Sequence, residues 1–429
     1  TKPLTSNCKE TCTLILLSCI IPIFAQNSLP EASTPSSFYW VYRADKEKVD
    51  MLINCAERST PSASHNSVEL SDQRFWEAGP PFYPWKRLMS TLRDTYPQDR
   101  NGGRMAHFFA GIHDAIQRIY VHLPDSCRQP IRQLPKSQHL SYQMALIASA
   151  ETASRILTFY FPRGQAEINQ LYQKHRDFIH SLPIDSSLHL MGIKISEQVA
   201  QQLIERAKND RTRSNEKVKF TDRESGLWYG TPSVKDYAKR QWRPFVLDTP
   251  SEFRCPPPPT SWEADMQELR QFNQTHTHSD IAWKWKSIPV WDQWLDQLMF
   301  EYQIHLDPMQ AAFIYATFHI TRYEATLSAW EAKYHYMGIR PFQYDTSFQP
   351  LLVHTPNFPG YPAGHTTVAG ALAAVISYFF LEVQQNAQNL AKECAESRFE
   401  GGVHFRTDNE VGLQQGKRVG QAVIRYIEE

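Results

Sequence analysis

Residues 358–381 read FPGYPAGHTTVAGALAAVISYFFL. The first part is a Pro- and Gly-rich turn, and from Thr366 onward the chain is almost continuously apolar. This predicts a buried helix over Thr366 to Gln388, whose apolar stretch, Val368 to Leu381, is too short to span a bilayer. Gly364 permits close approach of backbone to a ligand, and the first N–H groups of the following helix are unpaired donors suited to an anion. His365 stands beside them. A single His at a helix start is ordinarily a satisfied surface residue, but one beside an oxyanion cradle is a ready general acid or base.

Outward from this stretch, the pattern is helical nearly everywhere. Apolar residues recur at three and four over Arg104 to Tyr120, Ser141 to Tyr160, Gly164 to Ser181 and Ile193 to Lys208. After an irregular, Pro-rich connection from Asp210 to Asp280, helices are predicted over Ile281 to Tyr302, Pro308 to Met337 and Asn409 to Glu428. Alternating strand patterns are scarce. The expectation is an all-α fold of two helix bundles in one compact domain over residues 76–429, preceded by a Pro/Ser-rich lead-in over 26–75. Four tryptophans, Trp283, Trp285, Trp291 and Trp294, read as core and rim packing, and His113-Asp114 as helix packing.

The 45 basic side chains are balanced by 45 acidic ones, so no global field draws the chain to nucleic acid or an anionic membrane, and any anion affinity must be local. Lys2 and Lys9 precede an apolar run, Thr13 to Phe24, followed by Ala25 and a polar stretch. This reads as a signal peptide over residues 1–25 and predicts export to a periplasm or the exterior, in preference to lipoprotein anchoring at Cys19. Cleavage would leave Cys55, Cys127, Cys255 and Cys394, with a disulfide or free core thiols as the open readings. His276, His278 and Asp280 lack a convincing fourth metal ligand and read as a solvated loop. Asn273 to Thr275 is a glycosylation acceptor only in a glycosylating host.

Two further segments carry chemistry. Lys333 and Arg340 are seven apart, about two helical turns, so they are expected on one side of a helix end stopped by Gly338 and Pro341. Alone, such charges usually offset the helix dipole. Ser397 to Asp408 is a Gly-containing loop in which His404 and Asp408 are four apart; on a helix the carboxylate would fix one imidazole nitrogen and present the other. Alone, that is a surface pair.

In order, Lys-x6-Arg-Pro, Pro-Ala-Gly-His and Ser-Arg-x5-His-x3-Asp fall within about eighty residues. This series resembles the type 2 phosphatidic acid phosphatase and vanadium haloperoxidase superfamily, in its soluble haloperoxidase-like branch. Trp330 to Lys333 and His107 to Ala115 extend the resemblance over most of residues 80 to 429. One position departs from it: Ala363 stands where the family has Ser, leaving one hydrogen bond to an oxyanion unmade, typically worth about 1 kcal/mol.

The resemblance implies that Lys333, Arg340, Arg398 and the Gly364 N–H hold the oxygens of phosphate or vanadate at the mouth of the C-terminal bundle. It further implies that His404 binds the central atom, His365 moves protons and Asp408 orients His404. With vanadate as cofactor, the enzyme would oxidise halide with hydrogen peroxide to hypohalous acid. Overall length, aromatic richness and Phe358-Pro-x-Tyr favour this reading. The alternative is a soluble acid phosphatase without a cofactor, in which His404 attacks a phosphate monoester to form a phosphohistidine. A non-catalytic oxyanion-binding protein is a third reading, disfavoured because binding alone needs no pair of histidines. The expected partners are thus small molecules, with no nucleic acid and no stable membrane span, and self-association stays open.

Overall fold

The computed structural model describes residues 40, 75–97, 102–127, 131, 135–211, 218–220, 226–352 and 355–429. The expected signal peptide lies outside them, as does the lead-in apart from Trp40 and Phe75. Among the described residues there is no strand, only isolated bridges pairing Phe220 with Gly230 and Leu227 with Gly338.

The first bundle consists of α1 (Tyr83–Thr95), α2 (Arg104–Tyr120), α3 (Leu140–Tyr160), α4 (Gln165–His180) and α5 (Ser186–Asn209). Helix α5 starts earlier than the apolar period suggests, because the Asp185 carboxylate caps the amides of Ser187 and Leu188 at 2.8 and 3.2 Å. The connection expected to be irregular contains α6 (Val234–Ala238) and α7 (Glu263–Thr275). The single helix expected over Ile281 to Tyr302 is instead α8 (Asp280–Ser287) and α9 (Val290–Glu301). Pro289 lies between them and has no N–H to continue the ladder.

Helix α10 (Pro308–Tyr336) is the strut shared by both bundles, packing on α2 and on the C-terminal helices. Asp307 caps it through the amides of Met309 and Gln310, both at 3.0 Å, and Pro308 occupies its first turn. Such a cap is worth about 1 kcal/mol. Residues on every side of α10 are buried, as expected of a helix enclosed by others.

After α11 (Pro341–Tyr344), the second bundle is closed by α12 (Gly364–Phe379), α13 (Gln384–Glu400) and α14 (Arg406–Glu428). The helix expected to continue to Gln388 ends at Phe379, and α13 is a separate helix. Helices α12 and α14 pack with their backbones almost in contact. A Cβ at Gly416 would lie 1.9 Å from the Thr367 carbonyl oxygen, and one at Gly370 would lie 2.3 Å from that of Leu413. This close packing brings the beginnings of α12 and α14 together. The Ala363 amide donates to the Asp408 carbonyl at 2.9 Å. The ends of α10 and α13 reach the same end of the bundle, and the candidate residues are there. No helix among the described residues is long and apolar enough to cross a membrane. Cys127, Cys255 and Cys394 are free thiols, so none of the three forms a disulfide; Cys55 lies outside the described residues.

Candidate oxyanion site

Lys333 is delivered by the last turn of α10. Arg340 is not on that helix, contrary to the sequence expectation: α10 ends at Tyr336, Met337 takes a left-handed conformation at φ 53°, and Arg340 lies on extended backbone before Pro341. The two cations converge because the loop from Phe358 to Gly360 wraps around them. The Lys333 ammonium donates to the carbonyls of Pro359 and Gly360 at 2.8 and 2.7 Å. The Arg340 guanidinium donates to Phe358 at 2.8 Å, to Val403 at 2.6 Å and, longer, to Pro359 at 3.4 Å. Lys333 thereby commits two of three protons and Arg340 keeps part of its five-proton fork, so both retain donors for a ligand.

Arg398 comes from the last turn of α13, where it donates to the Ser397 hydroxyl and the Ala282 carbonyl. Gly402, at φ 69°, then turns the chain in a conformation that L side chains rarely adopt, leading it to His404. His404 precedes α14 instead of lying on it, a second departure from the expectation of a shared helical face. Asp408 is in the first turn, and its Oδ2 accepts from both the Phe405 amide at 3.0 Å and His404 Nδ1 at 3.1 Å. Arg340 approaches His404 Nε2 at 3.5 Å. With a donor facing Nε2 and a carboxylate facing Nδ1, the hydrogen-bond partners assign the proton to Nδ1 and leave the Nε2 lone pair toward the cations.

The field explains the titration of these groups. Burial, then the charges of Arg340, Lys333, His365 and Arg398, holds the His404 imidazole well below the usual histidine range, so it is neutral. Burial pushes the Asp408 carboxyl up to about 7 against the opposing pull of Lys333, the Phe405 amide and Arg340. Burial also lowers Lys333, with Arg340 adding to the effect, and brings Arg340 down to about 10. His365 is pushed down to about 3 by desolvation and by Arg398, Lys333, Arg340 and Lys239. Its residue surface is nevertheless exposed, so solvent tempers the desolvation and the four cations are the more durable cause.

Gly364 opens α12 under Trp330. A Cβ there would meet the indole at 2.8 Å and the Lys333 Cε at 3.5 Å, so only Gly leaves the first turn of α12 open beside the ammonium. Ala363 is the N-cap of α12, and no side chain caps the helix there. Lys239 was not singled out in the sequence. It lies in the Pro-rich connection, and its ammonium stands 4.1 Å from the Trp330 ring centroid. No period or motif marks that position.

The other sequence candidates lie apart. His113 Nδ1 meets Asp114 Oδ1 at 3.0 Å, both buried in α2. His276 is exposed and stacks on Phe272, while Ser279 caps α8. Trp285 and Trp291 are buried, whereas Trp283 is exposed. Among the described residues, no group of three or more His, Cys, Asp or Glu gathers as cation ligands.

Comparison with known proteins gives a consistent result. A family model described as the VCPO second helical-bundle domain matches residues 381–429. The first bacterial vanadium-dependent iodoperoxidase of known structure is similar at a TM-score of 0.64 and 21% identity, over 84% of this chain and 98% of that one. A bacterial vanadium-dependent chloroperoxidase is similar in its apo form (TM-score 0.56, 14% identity, 76% of this chain and 93% of that one). A bacterial vanadium-dependent chloroperoxidase in holo form is similar too (TM-score 0.54, 14% identity, 87% of this chain and 99% of that one). Among curated proteins there is no match.

Proposed function

On the premise that this chain has the fold of the vanadium-dependent haloperoxidases, we propose that it is itself a haloperoxidase that holds vanadate on His404. The observation that carries the reading is an imbalance of buried charge. Lys333 and Arg340 are fully buried and Arg398 is 4% exposed, yet among the described residues Asp408 is the carboxylate placed with them, and it is engaged with His404. Carbonyls accept from these cations but do not neutralise them; buried charge without counter-charge is costly, and a small oxyanion with several acceptor oxygens would offset that cost.

The donor set fits such a guest. Guanidinium forks suit pairs of oxygens, the Lys333 ammonium supplies a point charge, and the open first turn at Gly364 offers backbone N–H groups. His404 Nε2 would be the single protein ligand to the central atom, held in aim by Asp408. Vanadate, when bound there, would activate hydrogen peroxide for two-electron oxidation of a halide. His365 is neutral in the range where the enzyme would work and open to solvent, so a ring nitrogen can take a proton from incoming peroxide and return it to the leaving oxygen. The aromatic wall formed by Trp330 and Phe358, with centroids 5.3 Å apart, shields the cations from bulk water and strengthens their field.

The test is halide-dependent bromination or iodination of a phenol dye, with orthovanadate and hydrogen peroxide added, run beside hydrolysis of p-nitrophenyl phosphate. The expected result is halogenation that requires vanadate and disappears in His404→Ala. Phosphate ester hydrolysis without halogenation would replace this reading with the acid phosphatase. Tight phosphate binding with neither activity would leave an oxyanion-binding protein.

A further inference from the structure

Beyond Lys333, Arg340 and Arg398, a further cation faces the site from an element that the motifs do not include. Lys239 follows α6 directly, in a tight turn, Lys239–Gln241. Its ammonium is held by Asp236 Oδ1 at 2.8 Å, and Asp236 is itself anchored by the Ser233 hydroxyl at 2.6 Å. It is therefore placed, not trailing in solvent. It lies 4.1 Å from the centroid of the Trp330 ring, the indole that covers Gly364. Lys333 lies 5.9 Å from the same ring, and Phe358 packs beside it. The side chain of Lys239 is 22% exposed, so it meets solvent, whereas Lys333 does not. The charge of Lys239 is felt at both His365 and Lys333. The indole Nε1 of Trp330 is buried without a hydrogen-bond partner, leaving a donor next to this cation.

We propose that Lys239 is an outer, anion-recruiting residue that draws the halide to the Trp330–Phe358 wall and so sets halide affinity. The inference deepens the haloperoxidase reading and rests on it. A fixed ammonium beside a largely desolvated site raises the local concentration of a small anion, by less than a free charge would because Asp236 offsets part of its field, and the gain falls as salt screens it. Peroxide is uncharged and should not respond. That difference separates recruitment from a merely structural role.

The experiment uses the full chain loaded with vanadate and compares Lys239→Gln, Lys239→Arg and the control Lys235→Gln, which removes the same charge from an exposed position on α6. Lys239→Gln is expected to raise the KM for iodide or bromide roughly three- to tenfold, with kcat and the peroxide KM held within about twofold. Lys239→Arg should restore the halide KM, and Lys235→Gln should leave it unchanged. By calorimetry on the vanadate-free protein, Lys239→Gln should weaken inorganic phosphate binding about threefold and flatten its dependence on ionic strength. An unchanged halide KM in Lys239→Gln, or equal losses for halide and peroxide, would overturn the assignment. So would wild-type binding of phosphate that Lys239→Gln matches at every salt concentration. A wild-type protein that binds neither phosphate nor vanadate would instead overturn the cradle beneath it.

Discussion

Asp408 grips His404 across the start of α14, its Oδ2 accepting from Nδ1 at 3.1 Å while also capping the helix through the Phe405 amide at 3.0 Å. One carboxylate therefore fixes both a helix start and the tautomer of the imidazole. Asp408→Asn keeps the shape but can present an amide N–H to Nδ1, which would move the ring proton to Nε2 and remove the lone pair facing the cations. We expect orthovanadate affinity and halide oxidation to fall roughly 10- to 100-fold, the usual range for the loss of such a supporting partner. Calorimetry and initial rates on a variant with native near-UV circular dichroism would check this. Wild-type affinity would show that the carboxylate does not set the tautomer.

Gly364 tests whether the open first turn of α12 matters. In Gly364→Ala the new methyl would press on Trp330 at 2.8 Å while meeting the Lys333 stem only at ordinary contact distance, 3.5 Å. The indole must shift, which changes the wall beside the ammonium. The expected outcome is a loss of phosphate or vanadate binding of at least about tenfold with a melting temperature lowered by only a few degrees, because Ala favours a helix interior over Gly. Loss of fold in step with loss of binding would mean that the glycine serves packing alone.

Ala363 stands where the motif that this chain resembles has Ser, and it occupies the N-cap of α12, where a hydroxyl would normally stabilise the helix. Ala363→Ser adds a donor and acceptor at a fully buried position whose carbonyl already accepts from the hydroxyls of Thr366 and Thr367, both at 2.9 Å. The new hydroxyl can cap the helix or reach the anion. If it reaches the anion, vanadate affinity should rise about fivefold, as expected for one hydrogen bond to a charged acceptor. If it caps the helix, the melting temperature should rise while affinity stays constant. Calorimetry paired with thermal unfolding separates the two.

The sequence made the helical class and the three motif segments legible because each rests on local features: apolar period, Gly and Pro punctuation, and charged residues at fixed spacing. It misjudged how Lys333 and Arg340 meet. Their seven-residue spacing suggests one helical face, whereas carbonyls of Phe358, Pro359 and Gly360, 18 to 27 residues onward, gather both cations. His404 and Asp408 likewise meet through a capping contact and not a shared helical face. The break at Pro289 was readable from proline chemistry alone. Lys239 was not, since its relation to Trp330 exists only once the connection between α5 and α10 folds back over the bundle.

That connection is fastened at Glu324, a buried carboxylate in the middle of α10 that accepts from the amides of Phe245 at 2.7 Å and Leu247 at 3.1 Å. Burial raises its carboxyl from 4.5 to about 7, outweighing the amides of Phe245, Leu247 and Val246 and the charge of Arg206. The folded state therefore holds a proton that the unfolded state has released between these values. This stabilises the fold fully below about 4.5 and is lost as pH rises through 7. Asp408, raised from 3.8 to about 7, acts in the same direction. His175 and His365, lowered to about 3, act oppositely: the unfolded chain takes up their protons first, so stability falls as pH drops from 6.5 toward 3. Above pH 6.5 Glu324 and Asp408 pull stability down toward pH 8, opposed by Lys333, whose lowered ammonium acts with the opposite sign. Glu324→Gln should be less stable throughout, by about 1–3 kcal/mol, because one buried amide loses its acceptor. The decline between pH 6.5 and 8 should nonetheless be shallower than in wild type, as read from urea midpoints at the two pH values. A decline of equal slope would mean that Glu324 is already ionised in the folded protein at pH 6.5, and that the amides and Arg206 outweigh its burial.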